Sequence, residues 1–541
     1  MSSGKEGARL RSRVGAPSPR NPRAIRWKSD QDVPVTHVLH GLATNPSLPP
    51  ELIDLLITIA DTDLSSELAA RTDLTPAQLT TLAARGDEIA VPLAYEGRLT
   101  ADDIDPAAQP YAALALLDER AGHQEWAPLL ATHPTTRVRE KLAACPDLPP
   151  DVVRTLAADP DIQVVAELAL WTTPDTAARL ARHPHAEVRR SAAANESTPP
   201  AVLEMLITGE GVPPAQRCLV CDREETPFVH ESSCQRPECD LPSGAACDGS
   251  HQSTVHEIQR MALLNLATPI DAAVRFADHP SMLLRSALAI RPDLPPSVGV
   301  RLAKDPIPGV RADLAENPAI DDTLIRTLAA DRGHDVQRRL AHNPNVPLDV
   351  LADLARATRI GSTLLPRIAA ASADETARLA ISPDPAVRML LAQRRDLPTT
   401  IRDALAADPD AKVAKSVAPH PGLSDAHLRA MVARHGVQVV ARVAANPDAS
   451  PALLEELTRH QPPVRKVFRE VARHPHAPAP ALLVCLTDER ARPLAAAHPN
   501  LPPNVIAELL TDNDDRMAEA AASNPSLAPT VMSVASLRFV L

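Results

Sequence analysis

The chain has 541 residues, a formal net charge of −12 at pH 7 and an isoelectric point near 5.9. That acidic body argues against nucleic acid as a partner, and no apolar run is long enough to span a membrane. Aromatic residues make up 2 % and prolines number 56, so the core must rest on Leu, Val and Ala, with proline as regular punctuation.

Residues 1–30 carry Lys5, Arg9, Arg11, Arg13, Arg20, Arg23, Arg26 and Lys28 against Glu6 and Asp30. This composition predicts a solvated, disordered basic tail, with an electrostatic tether as its functional alternative. No apolar segment follows it, so a secretory signal is not expected and a cytoplasmic location is.

Repeats begin near Val35 and are clear from Asn45. Their frame is best seen in Cys145–Leu170, CPDLPPDVVRTLAADPDIQVVAELAL. It returns at Arg291, Asn317 and Asn343, and again at Arg394, His420 and Asn446, with a constant step of 26 residues. A fixed step of this size marks a solenoid. Within one unit Pro149 and Pro150 suit a first helical turn, where a missing N–H costs nothing. Val153, Leu156 and Ala157 then share a helix face, and Val165, Leu168 and Ala169 repeat that spacing beyond Asp159-Pro160. Two helices this short cannot bury their apolar faces alone, but stacked units can. The prediction is an all-α solenoid of paired short helices, with a concave surface suited to a protein partner. The register loosens at 96–132 and at 359–393. The last unit, 524–541, is partial, and its apolar end Phe539-Val540-Leu541 is expected to fold back as a cap.

The motif N/H-P-x-L-P-P-x-V-[LI]-x-x-L-A, followed by D-P-x-x-x-V-R-x-x-L-A, resembles the leucine-rich repeat variant (LRV) proteins of bacteria. It covers most of residues 45–208 and 265–541. The resemblance implies a right-handed superhelix in which α-helices alternate with shorter, partly 3₁₀ helices. It also implies an iron–sulfur cluster in some members. On this reading N-terminal repeats span 31–208 and C-terminal repeats 257–541.

Residues 209–256 between them are a Cys-rich insert, Cys218-x2-Cys221-x12-Cys234-x4-Cys239-x7-Cys247-x3-His251. Clustered cysteines in a reducing compartment point to metal rather than disulfides. A C-x2-C knuckle and a second Cys pair can complete a zinc tetrahedron and supply folding energy to a loop-rich segment. Cys218, Cys221, Cys234 and Cys239 are the preferred set, with Cys247 and His251 as competing ligands. An iron–sulfur cluster is the alternative cofactor. Residues Cys247–His251 read CDGSH, which resembles the signature of CDGSH-type iron–sulfur proteins, and there the Cys and His at these places ligate the cluster. The upstream C-x-C of that family has no counterpart here, and Ala245 stands where its proline is expected.

The remaining signals are periodic. His133, His183, His279, His420, His474 and His498 all precede Pro, and read as acceptors for open helix N–H groups, like the Asn at 317, 343, 446 and 524. Arg139, Arg189, Arg311, Arg388 and Arg465 form a row that either links neighbouring units by ion pairs or offers an anion-binding ridge. Cys145 and Cys485 lie within repeats and read as packing residues. No phosphate-loop, dinucleotide, nucleophile-elbow or zinc-protease motif occurs. The leading function is therefore a non-enzymatic binding scaffold, with an iron–sulfur redox protein and a nucleic-acid binder as alternatives.

Overall fold

The computed structural model describes residues 33–218 and 252–537. The basic tail, residues 219–251 of the insert and the Phe539–Leu541 end lie outside the described residues. Within them the fold is all-α, a helical-repeat solenoid of 35 α-helices with no strand beyond one isolated bridge.

Each unit pairs two helices, as in Pro150–Leu156 and Ile162–Trp171. The first proline of Leu-Pro-Pro is the N-cap residue, with Pro149 at φ −57° and ψ 145°, and the second opens the helix. Proline fits both places because neither needs a donor and the first holds an extended ψ. The second helix starts at a polar N-cap, Asp161, whose side chain accepts the Gln163 N–H. The buried face of the first helix is turned slightly from expectation. Val152 and Leu156 are buried, while Val153 and Ala157 are half-buried. In the second helix Val165, Leu168 and Ala169 are buried as expected.

First and second helices form two parallel rows. Neighbouring second-row helices pack more extensively than first-row neighbours, as Ile162–Trp171 does on Ala186–Ala194 and that helix on Gln252–Leu264. The more closely spaced row lies on the inside of the curve. The small Ala side chains of this row, with Ala169, Ala192, Ala193 and Ala262 all fully buried, permit that close approach.

A hydrogen-bonded ladder ties the units together. Its rungs are the residues that follow each second helix. Asn343 Nδ2 donates to the carbonyls of Ala315 and Asn317 at 2.9 and 2.8 Å, while its Oδ1 accepts the Asn345 N–H at 2.8 Å. Asn195, Asn265, Asn317, Asn446 and Asn524 do the same. Arg291, a rung with a nearly fully buried side chain, reaches the carbonyls of Leu263, Asn265 and Thr268 and pairs with Asp293. What the slot requires is an N–H donor long enough to reach the preceding unit. Replacing Asn343 by Ala leaves two carbonyls and one N–H of a buried turn unpaired, a loss of about 2–4 kcal/mol. Urea unfolding should show it, and Asn343→His should recover most of it.

The ladder closes on itself. Asn45 Nδ2 donates to the carbonyls of Ala522 and Asn524 at 2.8 and 2.7 Å, repeating what Asn524 does to Ala496 and His498. The helix Val33–Thr44 packs against Asp515–Ala522 in the second row, and Pro50–Ile59 meets Pro529–Leu537 in the first. Val33–Thr44 is a second-row helix and Pro529–Leu537 a first-row helix, so the two described ends complete one unit between them. His37 Nδ1 lies 3.0 Å from Glu519 Oε2, and its Nε2 lies 3.9 Å from Asp515 Oδ2. The solenoid is a closed ring, in which the partial last unit of the sequence is completed by the first helix.

The ring is continuous across the insert. Asn265 Nδ2 bonds the carbonyls of Ala193 and Asn195, although 70 or more residues separate them in sequence. Pro200–Thr208 and Gln252–Leu264 are the two helices of one unit, and the insert lies between them in sequence.

Candidate functional site

The start of the insert is fixed to the unit before it. The Gln216 N–H donates to the Pro184 carbonyl at 2.8 Å, and the Ala186 N–H to the Arg217 carbonyl at 2.9 Å. Arg189 reaches the Pro213 carbonyl, also at 2.8 Å. This return places Cys218 in the core, fully buried. Of the six expected metal ligands, Cys218 alone lies among the described residues; Cys221, Cys234, Cys239, Cys247 and His251 lie outside them. His256, the nearby histidine, sits on Gln252–Leu264 with Nε2 2.6 Å from Ser281 Oγ. A donor set rich in thiols fits either zinc or an iron–sulfur cluster.

The histidines that precede proline occupy two different slots. His420, His474 and His498 are ladder rungs after second helices. The Nδ1 of His474 accepts the His476 N–H at 3.1 Å, so Nε2 is the donor to the Asn446 carbonyl at 2.7 Å. His498 repeats this with the Asn500 N–H and the His474 carbonyl. His133, His183 and His279 instead lie between the helices of a unit, where other units place Asp159, Asp305 or Asp408. Their Nδ1 atoms accept the N–H two residues on. Both slots precede Pro and recur at the same step, so the sequence reading merged them. Neither supplies the N-cap of the following helix.

Burial pushes the His420 imidazole down to about 4, with Arg395 adding to the effect. Its Nδ1 has no partner, because the Gly422 N–H turns to Asp448 instead. A folded value below the unfolded one near 6.5 means that the unfolded chain binds the proton first. Stability from this group is therefore intact above pH 6.5 and falls away as pH drops toward 4, by on the order of 2 kcal/mol. His420→Asn, the residue of sister units, should remove that part of the acid loss and leave stability at pH 8 unchanged. Unfolding curves across this range will show it.

The arginine row is engaged inside the ring. Arg139, Arg311 and Arg388 each pair with the Asp twenty residues on, Asp159, Asp331 and Asp408, at 2.6 Å, in forked contacts. Each also donates to a backbone carbonyl six residues back. Arg189, beside the insert, bonds His183 and Pro213 carbonyls. Arg465 is out of register. It is exposed, and Phe468 holds the slot six residues before rung His474. The sequence reading missed Arg285 and Arg492, which pair with Asp305 and Asp512. Counting six residues back from each rung would have found them. This row is a set of links between units, not a ridge for anions.

Cys145 and Cys485 are buried packing residues, and burial pushes both thiols up to about 12. At pH 8 both stay protonated, so iodoacetamide should label them only after denaturation. Peptide mass spectrometry with and without urea checks this, and labelling of the native protein would contradict it.

The inner wall carries the surface features. Trp171 and Ile290 are 47 % and 45 % exposed, each one residue before a rung position. A groove of about 720 Å³ crosses Met282–Ala289, Pro308–Glu316 and His334–Leu340, with Met282, Leu283 and Ala312 among Asp335, Arg338 and Arg339. A second cleft, of about 610 Å³, lies over Arg465–Arg473 and the start of Asp515–Ala522.

No protein-family model matches the chain, and no curated protein matches it. Among solved structures it is similar to a chain described as "Structure of the Pds5-Scc1 complex and implications for cohesin function", at 12 % identity over 96 % of this chain and 75 % of that one. The TM-score is 0.15, too low for the likeness to bear on partner or role. The chain is a helical-repeat solenoid. No helix among the described residues is long and apolar enough to cross a membrane.

Proposed function

We propose that the chain is a non-enzymatic, cytoplasmic scaffold of LRV-type repeats that binds a protein partner on the inner wall of its ring. The observation that carries this reading is the exposure of Trp171 and Ile290 on that wall, the second at the end of the helix whose Met282 and Leu283 line a groove. Large apolar side chains in the centre of a polar-rimmed surface are what protein interfaces use as anchors. Trp171→Glu combined with Ile290→Glu should abolish capture of the partners retained by the unaltered protein, with no fall in melting temperature. An unchanged set of partners at unchanged stability would overturn the reading.

The insert is proposed as a structural zinc knuckle on Cys218, Cys221, Cys234 and Cys239, attached to one unit of the ring. Thiolate ligation would give that segment the folding energy its length does not supply. An iron–sulfur redox centre is the second reading, favoured by the pentapeptide Cys247–His251. Visible absorption separates them. A colourless protein with stoichiometric zinc supports the knuckle, and a brown, oxidation-sensitive protein supports the cluster.

A further inference from the structure

Arginines in this ring are characteristically held by carboxylates or backbone carbonyls. Several are not, and four of these stand together. Arg469 and Arg473 project from Arg465–Arg473, Arg490 precedes Arg492–Ala496, and Arg516 lies in the first turn of Asp515–Ala522. With Glu489, Pro493 and Asp514 they line the 610 Å³ cleft. Among the described residues no ion pair engages any of the four guanidinium groups, whereas Arg492 beside them pairs with Asp512. Arg469 is half-buried and the other three are exposed.

We infer that this cleft is an anion site for a small, multiply phosphorylated molecule. Four positive groups against Glu489 and Asp514 leave the cleft with a surplus of two positive charges. A ligand with a single carboxylate gains little, because the two acidic side chains oppose it. Adjacent phosphoryl groups bring several charges within a few ångströms and offer tetrahedral oxygens that planar guanidinium forks bind two at a time. The volume suits a small molecule. Unpaired arginines gathered into one cleft repel one another, and a polyanion relieves that repulsion on binding. The site goes beyond the protein-binding reading and does not depend on it.

Titration calorimetry at low ionic strength with tripolyphosphate, orthophosphate and citrate tests the site, on the full chain. Tripolyphosphate should bind at one site, roughly tenfold or more tighter than either of the others, and weaken steeply with salt. Arg469→Gln with Arg473→Gln should reduce that affinity by at least roughly tenfold, while Arg338→Gln in the other groove should leave it unchanged. Should the first pair fail to fold, Arg490→Gln with Arg516→Gln, both exposed, provides the same test. Citrate binding as tightly as tripolyphosphate, affinity indifferent to both Arg pairs, or no heat at millimolar tripolyphosphate would overturn the inference.

Discussion

Replacing Gly41 by Leu is expected to open the ring. Gly41 lies on Val33–Thr44 where that helix meets Asp515–Ala522, and a Cβ there would overlap the Glu519 carbonyl oxygen and come within 2.7 Å of Ala522 Cβ. Backbone on the opposing helix cannot move aside as a flexible side chain would. Overpacking alone costs about 1–3 kcal/mol, and here it also separates Asn45 from its two carbonyl partners and His37 from Glu519. The consequences reach beyond the seam. In a linear array the terminal units have one neighbour and fray, whereas in a closed ring every unit has two. The variant should therefore unfold over a broader range, at lower urea concentration, with Val33–Thr44 cut first by protease. Gly41→Ala should show the same changes in weaker form, since it adds the clashing atom alone. A Gly41→Leu protein with the unaltered unfolding curve would show that the seam is not closed.

Loss of the Arg285 side chain is expected to be the most costly change among the links between units. Arg285 donates to both oxygens of Asp305, at 2.5 and 3.1 Å, and to the carbonyls of His279 and Pro280 at 2.6 and 2.8 Å. Only 10 % of the arginine side chain and 4 % of the aspartate are exposed. Arg285→Ala strands a buried carboxylate, and breaking one side of such a pair typically costs about 3–5 kcal/mol. Asp305→Asn in the same chain should restore part of that loss, because the stranded charge is then gone while the Ile307 N–H keeps its acceptor. Arg285→Lys should not rescue, since a point charge cannot reproduce the fork. Urea unfolding of these variants, with Asp305→Asn alone closing the cycle against the unaltered protein, gives the coupling directly.

The 26-residue frame makes the repeat architecture legible in the sequence, because its prolines stand at helix starts or in the turns between helices and its apolar spacing suits paired helices. The loosened stretch between Glu96 and Thr132 does contain irregular, short elements, a 3₁₀ turn at Ala101–Asp103 and the six-residue helix Trp126–Ala131. The closure was not legible. Residues before Asn45 and after Asn524 each look like an incomplete unit, and nothing local reveals that one completes the other. Gly41 reads as an ordinary helical glycine until Glu519 is set against it. The rungs were half legible. Asn and His share an acceptor, which periodicity revealed, but they also share a donor whose partners lie a full unit earlier. The arginine row was partly misread for a related reason. Val464-Arg465 matches the dipeptide pattern but not the register, and only distance from the rung fixes which residue faces the Asp of the next unit. The cleft of Arg469, Arg473, Arg490 and Arg516 joins three helices from three units, so no stretch of sequence displays it.

Closure is tested most directly by a distance across the seam. Spin labels carried on non-canonical amino acids at Thr44 and Ser523, which avoid the native cysteines, would sit at equivalent positions on adjacent second-row helices. Packed helices lie about 8–10 Å apart, so with label linkers the separation should be a single population below roughly 30 Å. A broad distribution beyond about 50 Å, several helix spacings, would mean that the ends do not meet and that the ring is an open coil.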